Sequence, residues 1–141
     1  MGHCDMMISP KKMKSIIDSH MNRMLKDKDF SAAQVPFILE IGRNEGISMK
    51  DLCISLGADK GLVTRVVRNL IDSELVENRS ETVRTYRLFL TEKGREAFAD
   101  STSTLDEAFD QVFSCLDEKD KVDMARIFAK INKKLDELYK Y

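Results

Sequence analysis

The chain has 141 residues, 43% hydrophobic and 33% charged, with a formal net charge of −1, a length that holds a single core with a small extension. No apolar run approaches the roughly 18–20 residues of a membrane helix, and Met1-Gly2-His3-Cys4-Asp5 lacks the basic start and apolar run of a signal peptide, so the reading is a cytoplasmic protein with no membrane partner. A near-neutral chain gives no global reason to expect nucleic acid, but affinity for DNA comes from a local basic surface, so the charges must be placed before they are weighed.

Ser9-Pro10 opens the first predicted helix, since Ser suits a cap and Pro a first turn. Over Lys11–Lys26 it places Met13, Ile16, Ile17, His20, Met21, Met24 and Leu25 at i, i+3, i+4 spacing. The charged run Lys26–Asp29 breaks that pattern. Ser31 reads as the cap of a second helix with Val35, Phe37, Ile38 and Ile41 inward, ended by Arg43–Gly46, where Gly46 suits the left-handed C-cap position. A short third helix, Ser48–Leu56, has Met49, Leu52, Cys53 and Leu56 inward and stops at Gly57. Asp59 then caps Lys60–Ser73, whose inward stripe is Leu62, Val63, Val66, Val67, Leu70 and Ile71. After it the period changes. Tyr86–Thr91 alternates as a strand does, Leu75–Asn78 is its partner, and the stretch between them is a hairpin tip. One helix follows over about Glu92–Leu116. A break at Asp117-Glu118, with Asp117 or Asp120 as cap, precedes a last helix lined by Met124, Ile127, Phe128, Ile131, Leu135 and Leu138. The fold class is mainly α, in the order α-α-α-α-β-β-α-α.

Cys4, Cys53 and Cys115 are odd in number and far apart, without CxxC spacing, and neither His3 nor His20 completes a metal-ligand pattern with them. They read as free thiols in a reducing compartment, Cys53 and Cys115 within apolar helical patterns and Cys4 the accessible candidate for redox sensing. No nucleophile constellation, Gly-rich phosphate loop or metal motif is present, so the expectation is no enzyme and no cofactor.

Two short helices joined tightly are the core of a helix-turn-helix: Ser48–Leu56 supports, Gly57-Ala58-Asp59 turns, and Lys60–Ser73 is the recognition helix. Its outward face offers Lys60, Gly61, Thr64, Arg65 and Arg68, with Thr64 and Arg68 one turn apart. Gly61 lets the backbone approach a phosphate near a helix N-terminus that favours anions. The hairpin adds Arg79, Arg84 and Arg87, a basic wing able to enter a minor groove. Within residues 60–87 six basic side chains stand against the acidic Asp72, Glu74, Glu77 and Glu81. That excess is small, and the acidic residues are expected at the helix end and strand start, away from the contact face.

The run Ser48–Val76 and the stretch Arg84–Gly94, ending Leu88-Phe-Leu-Thr-Glu-Lys-Gly94, resemble the winged helix-turn-helix of the MarR family of transcription regulators, and the helix order is similar over essentially the whole chain. There are two departures. Thr82 stands where the family's wing commonly has the Asp of Asp-x-Arg, and Glu74 stands where the preceding turn usually has Gly. The resemblance implies a sequence-specific double-stranded DNA-binding regulator. Residues of about 30–95 would form the DNA-binding lobe, and about 5–29 and 96–141 the dimerisation helices. The implied homodimer reads a pseudo-palindromic operator in successive major grooves, and the terminal apolar residues Met6, Met7, Ile8, Phe128, Ile131, Leu135, Leu138 and Tyr139 are more than one small core needs. It also implies a repressor released by a small aromatic or anionic effector, for which Met21, Met24, Phe37, Ile41 and Phe109 are candidate lining positions. The alternatives are a winged-helix module that binds only protein, and a thiol-based redox-sensing regulator.

Overall fold

The computed structural model describes residues 8–82 and 84–140; Cys4, Met6 and Met7 lie outside them. Helix α1 spans Pro10–Met24, with the Ser9 side chain accepting from the Lys12 N–H and Pro in the first turn, where its missing N–H costs nothing. Its predicted stripe is divided. Ile17, Met21 and the following Leu25 are buried, but Ile16 and Met24 are 52% and 41% exposed, because the rest of the fold covers only one side of the helix.

Ser31 caps as expected, but the element it opens is a 3-10 turn over Ala32–Gln34, with the Ser31 N–H bonded to the Gln34 side chain at 3.0 Å. The α-helix proper, α2, covers Val35–Arg43 with Pro36 in its first turn, the position that tolerates a residue without an N–H. Asn44 is its C-cap. Gly46, expected in that role, takes its left-handed φ of +93° two residues later, turning the chain so that Ile47 pairs with Leu88. Helices α3 (Met49–Leu56) and α4 (Lys60–Asp72) come next, capped by the Ser48 hydroxyl on the Asp51 N–H at 3.1 Å and by the Asp59 carboxylate on the Leu62 N–H at 2.9 Å. Gly57, at φ +61°, closes α3 in the left-handed conformation.

The antiparallel hairpin joins β1 (Val76–Asn78) to β2 (Leu88–Leu90), with Val76 opposite Leu90 and Asn78 opposite Leu88. Both strands are shorter than their alternation suggests. Beyond Leu88, the Asn78 side chain takes the Arg87 N–H at 2.9 Å and diverts the ladder. Helix α5 runs Glu92–Val112, capped by Thr91, and stops short of Leu116. There Ser114 donates its hydroxyl to the Gln111 carbonyl at 2.9 Å, a local bond that competes with further helical turns. Cys115 therefore lies in the bend and is exposed, not in an apolar stripe, while Cys53 is buried in α3. Asp117 and Asp120 cap each other's main chain at 2.8 and 3.2 Å and start α6 (Glu118–Leu138). The core is built from α1, α2, α3, α4, the hairpin and α5. Helix α6 buries no residue, leaving Val122, Ile131, Leu135 and Leu138 47–68% exposed.

Two positions where the end of α4 meets the start of α5 are sensitive in opposite directions. A Cβ at Gly94 would stand 1.9 Å from the Leu75 carbonyl oxygen. Gly94→Ala is therefore expected to cost about 3 kcal/mol, read by denaturant unfolding as a lower midpoint. Glu74 holds φ +62°, a left-handed conformation that costs a side-chain-bearing residue about 1–2 kcal/mol. Glu74→Gly should raise stability by about 0.5 kcal/mol after glycine's greater unfolded-state entropy is subtracted, visible as a rise in Tm.

Candidate nucleic-acid interface

Burial orients α4. Val63, Val67 and Leu70 are fully buried and Val66 nearly so, which turns the opposite side of the helix outward. That side forms an open concave surface lined by Lys60, Gly61, Thr64, Arg65, Arg68, Asn69 and Asp72. All five helix residues proposed from the sequence thus share one surface. Arg65 and Arg68 are exposed, and neither has an ion pair or side-chain hydrogen bond among the described residues. Asn69 and Asp72 join them and were missed, although each lies four residues after one of those arginines, the helical repeat that places them there. Asp72 thus stands on the arginine surface, contrary to the expectation that the acidic residues keep away from it.

The wing treats its three arginines differently. Arg79 is held within the hairpin: its guanidinium bonds the Glu77 carboxylate at 2.5 and 2.7 Å and lies 4.3 Å over the Phe89 ring. Arg84 and Arg87 are exposed, with no side-chain partner among the described residues. The tip is ordered by hydroxyls. Ser80 meets Thr85 at 2.6 Å, Thr82 bonds Thr85, and Ser80 also reaches the Thr82 carbonyl at 3.1 Å. Thr82 therefore links to its own loop, a different way of shaping the tip from an acid paired with Arg84.

A second feature lies behind the reading helix. A cavity of about 820 Å³ is bounded by α1, α2, the start of α4 and α5, and Met21, Phe37 and Phe109 line it, together with Ile17, Leu62 and Val66. Met24 and Ile41 are not among its lining residues: Met24 is on the exposed side of α1 and Ile41 is wholly inside the core. At the rim are a Lys14–Asp18 ion pair, Glu40 and Arg43. Glu40 accepts from Asn44 at 2.8 Å and from the Ser55 hydroxyl, tying α2 to α3.

A short supporting helix, a left-handed glycine turn, an arginine-bearing second helix and a hairpin held by Ile47 complete a winged helix-turn-helix. A sequence model described as the MarR family matches residues 28–84. The HTH-type transcriptional regulator BilQ of Clostridium symbiosum is 30% identical over 111 residues, covering 77% of either chain. The chain belongs to the MarR family. The fold of a MarR transcriptional regulator from Methanosarcina mazei superposes with a TM-score of 0.83 at 22% identity, covering 92% of this chain and 94% of that one. A MarR-family regulator from Listeria monocytogenes, solved with a 26mer DNA, superposes at 0.77 with 17% identity, covering 97% and 90%. Among the described residues, six α-helices and a two-stranded hairpin have the arrangement of a MarR-family transcriptional regulator, and the family model spans the supporting helix, α4 and β1.

The composition of the α4 surface yields a test within it. Asp72 presents a carboxylate to any polyanion laid along α4, so Asp72→Asn should tighten duplex binding about two- to fivefold at low salt, with the difference shrinking as salt rises. Fluorescence anisotropy with a labelled duplex at two salt concentrations measures both effects.

Proposed function

We propose that this chain binds double-stranded DNA as a homodimer and represses transcription from a pseudo-palindromic operator. Helix α4 enters a major groove in each half-site, and Arg84 and Arg87 approach the adjacent minor groove. The observation that carries the reading is the unpaired Arg65 and Arg68 on one exposed face of a helix whose other face is locked into the core. Guanidinium groups with no internal partner suit guanine edges and phosphates, and Lys60 and Gly61 at the helix start suit a backbone oxygen. The Listeria fold relative was solved with a 26mer DNA, which supports a DNA-binding reading of this fold. Arg79, already bonded to Glu77, contributes to the wing's shape more than to contact.

The exposed apolar stripe of α6 supports the homodimer. Val122, Ile131, Leu135 and Leu138, with Ile16 and Met24 on α1, leave more apolar surface open than isolated chains commonly carry. Two recognition helices about 34–36 Å apart then meet successive turns of the duplex. The 820 Å³ cavity is continuous with residues of α4, so a small aromatic or anionic effector seated there has a direct route to changing that separation and weakening DNA binding.

Titration of a duplex at about 50 and 200 mM salt tests the DNA reading. With Lys60, Arg65, Arg68, Arg84 and Arg87 contributed by each protomer, affinity should fall by roughly 10³-fold or more between these conditions. Arg68→Ala should weaken binding at least tenfold and flatten the salt dependence, whereas Arg79→Ala should have a smaller effect on it. Absence of duplex binding at low salt would instead support a module that recognises only protein. Salicylate-like anions added to the bound complex probe the effector: release of the duplex supports it, and no change across a broad panel removes that part of the proposal.

A further inference from the structure

The C-terminal end of α6 faces its own chain at the turn of the helix-turn-helix. Gly57, which closes α3 at φ +61°, lies beside the ring of Tyr139: a Cβ built on Gly57 would be 3.8 Å from Tyr139 Cε2 and 4.0 Å from Cζ. Ile54, Leu56 and Gly57 form one wall of a groove of about 890 Å³, and Leu135, Leu138 and Tyr139 form the other. Leu56 faces both ways, since it also lines the cavity behind α4. The turn that starts the recognition helix is thus a thin wall, with the cavity on one side and the end of α6 on the other. Its main chain is held by the Gly57 N–H on the Ile54 carbonyl at 3.3 Å and the Ala58 N–H on the Cys53 carbonyl at 3.1 Å.

We propose that Tyr139 is a positioning residue for DNA recognition. Its ring braces the Gly57 turn and so links the orientation of α4 to α6. Glycine at 57 has two roles in this contact. It adopts the left-handed φ without strain, and its bare Cα presents a flat surface to an aromatic ring. Because no residue of α6 is buried and its C-terminal end faces the turn across this groove, a change in how α6 is seated reaches α4 through this contact. An aromatic ring transmits such a change better than a flexible side chain, since it has few rotamers to absorb it. The brace should therefore govern how strictly the two recognition helices hold their spacing, and affect the number of phosphate contacts little. The inference rests on the operator-binding reading.

The test uses the full-length wild type, Tyr139→Phe and Tyr139→Ala on an operator selected from random duplexes by the wild type. The same operator with one base pair inserted or removed between half-sites is measured alongside. Tyr139→Ala should bind the selected operator about fivefold more weakly, at the lower end of usual coupling between sites, and should discriminate less between the three spacings. Its dimerisation, followed by sedimentation, and its salt dependence should match the wild type. Tyr139→Phe should behave as the wild type. Amide exchange at Gly57 and Ala58 should quicken in Tyr139→Ala while the buried α5 amides stay protected. Unchanged spacing discrimination and unchanged exchange at residues 57–58 would overturn the brace, as would a loss of binding that merely follows dimer dissociation or general unfolding. Failure of the wild type to bind any duplex would count against the operator-binding reading itself. The exchange comparison at residues 57–58 still decides the brace in that event.

Discussion

Where the recognition helix ends, three elements meet through main-chain groups with no space for an added carbon. The Leu75 N–H reaches back to the Leu70 carbonyl at 2.9 Å, and the Leu75 carbonyl accepts from Thr91 at 3.1 Å. Gly94, in the first turn of α5, lies directly against that carbonyl. Thr91 caps α5 and also donates its hydroxyl to the Glu74 carbonyl at 2.6 Å, while Lys93 bonds the Ser73 carbonyl at 3.1 Å. Lys93 also sits 2.6 Å from Asp29 and holds its carboxyl below the usual carboxylate range. In this way α4, the hairpin and the long helix α5 are fixed to one another and to the loop after α1. The direction of α4, and so of its arginines, depends on this junction, and so does the strained conformation of Glu74.

Electrostatics acts locally in this protein. A chain of net charge −1 still presents Arg65 and Arg68 on one helix face and Arg84 and Arg87 on the wing. The acids nearby modify that surface individually. Glu77 neutralises Arg79 and holds it against Phe89, and Asp72 limits the cationic stretch of α4 at its C-terminal end. The cationic surface is therefore the first two to three turns of α4 with the wing tip, the part that the proposed docking uses. This agrees with helix-turn-helix docking, in which the N-terminal residues of the recognition helix reach the bases.

The helices outside the reading unit contribute differently. Helix α5 packs on both α1 and α2, and all three share in the core, so their packing sets the cavity behind α4. Helix α6 adds no buried residue to that core, and Leu135, Leu138 and the following Tyr139 remain 46–65% exposed where they face the groove beside Gly57. The turn at Gly57–Ala58 borders both the cavity and that end. Under the two proposals above, events at either place act on the same few main-chain bonds.

Much of the fold was legible in the sequence because its signals are local. The order of elements, the caps at Ser9, Ser48 and Asp59, the stop of α3 at Gly57 and the five outward residues of α4 follow from contacts within about four residues and from helical periodicity. Periodicity marks an apolar stripe but not which part of it a neighbour covers. Only packing decided that Ile17 and Met21 are buried while Ile16 and Met24 are bare, and that Met21, Phe37 and Phe109 line the cavity while Ile41 does not. The pairing of Ile47 with Leu88, the capture of Arg79 by Glu77 and Phe89, and the place of Tyr139 over Gly57 likewise join side chains through the fold. A sequence pattern shows which residues can face one way along an element. What they meet there depends on residues brought together by chain reversal, and that information belongs to the tertiary structure.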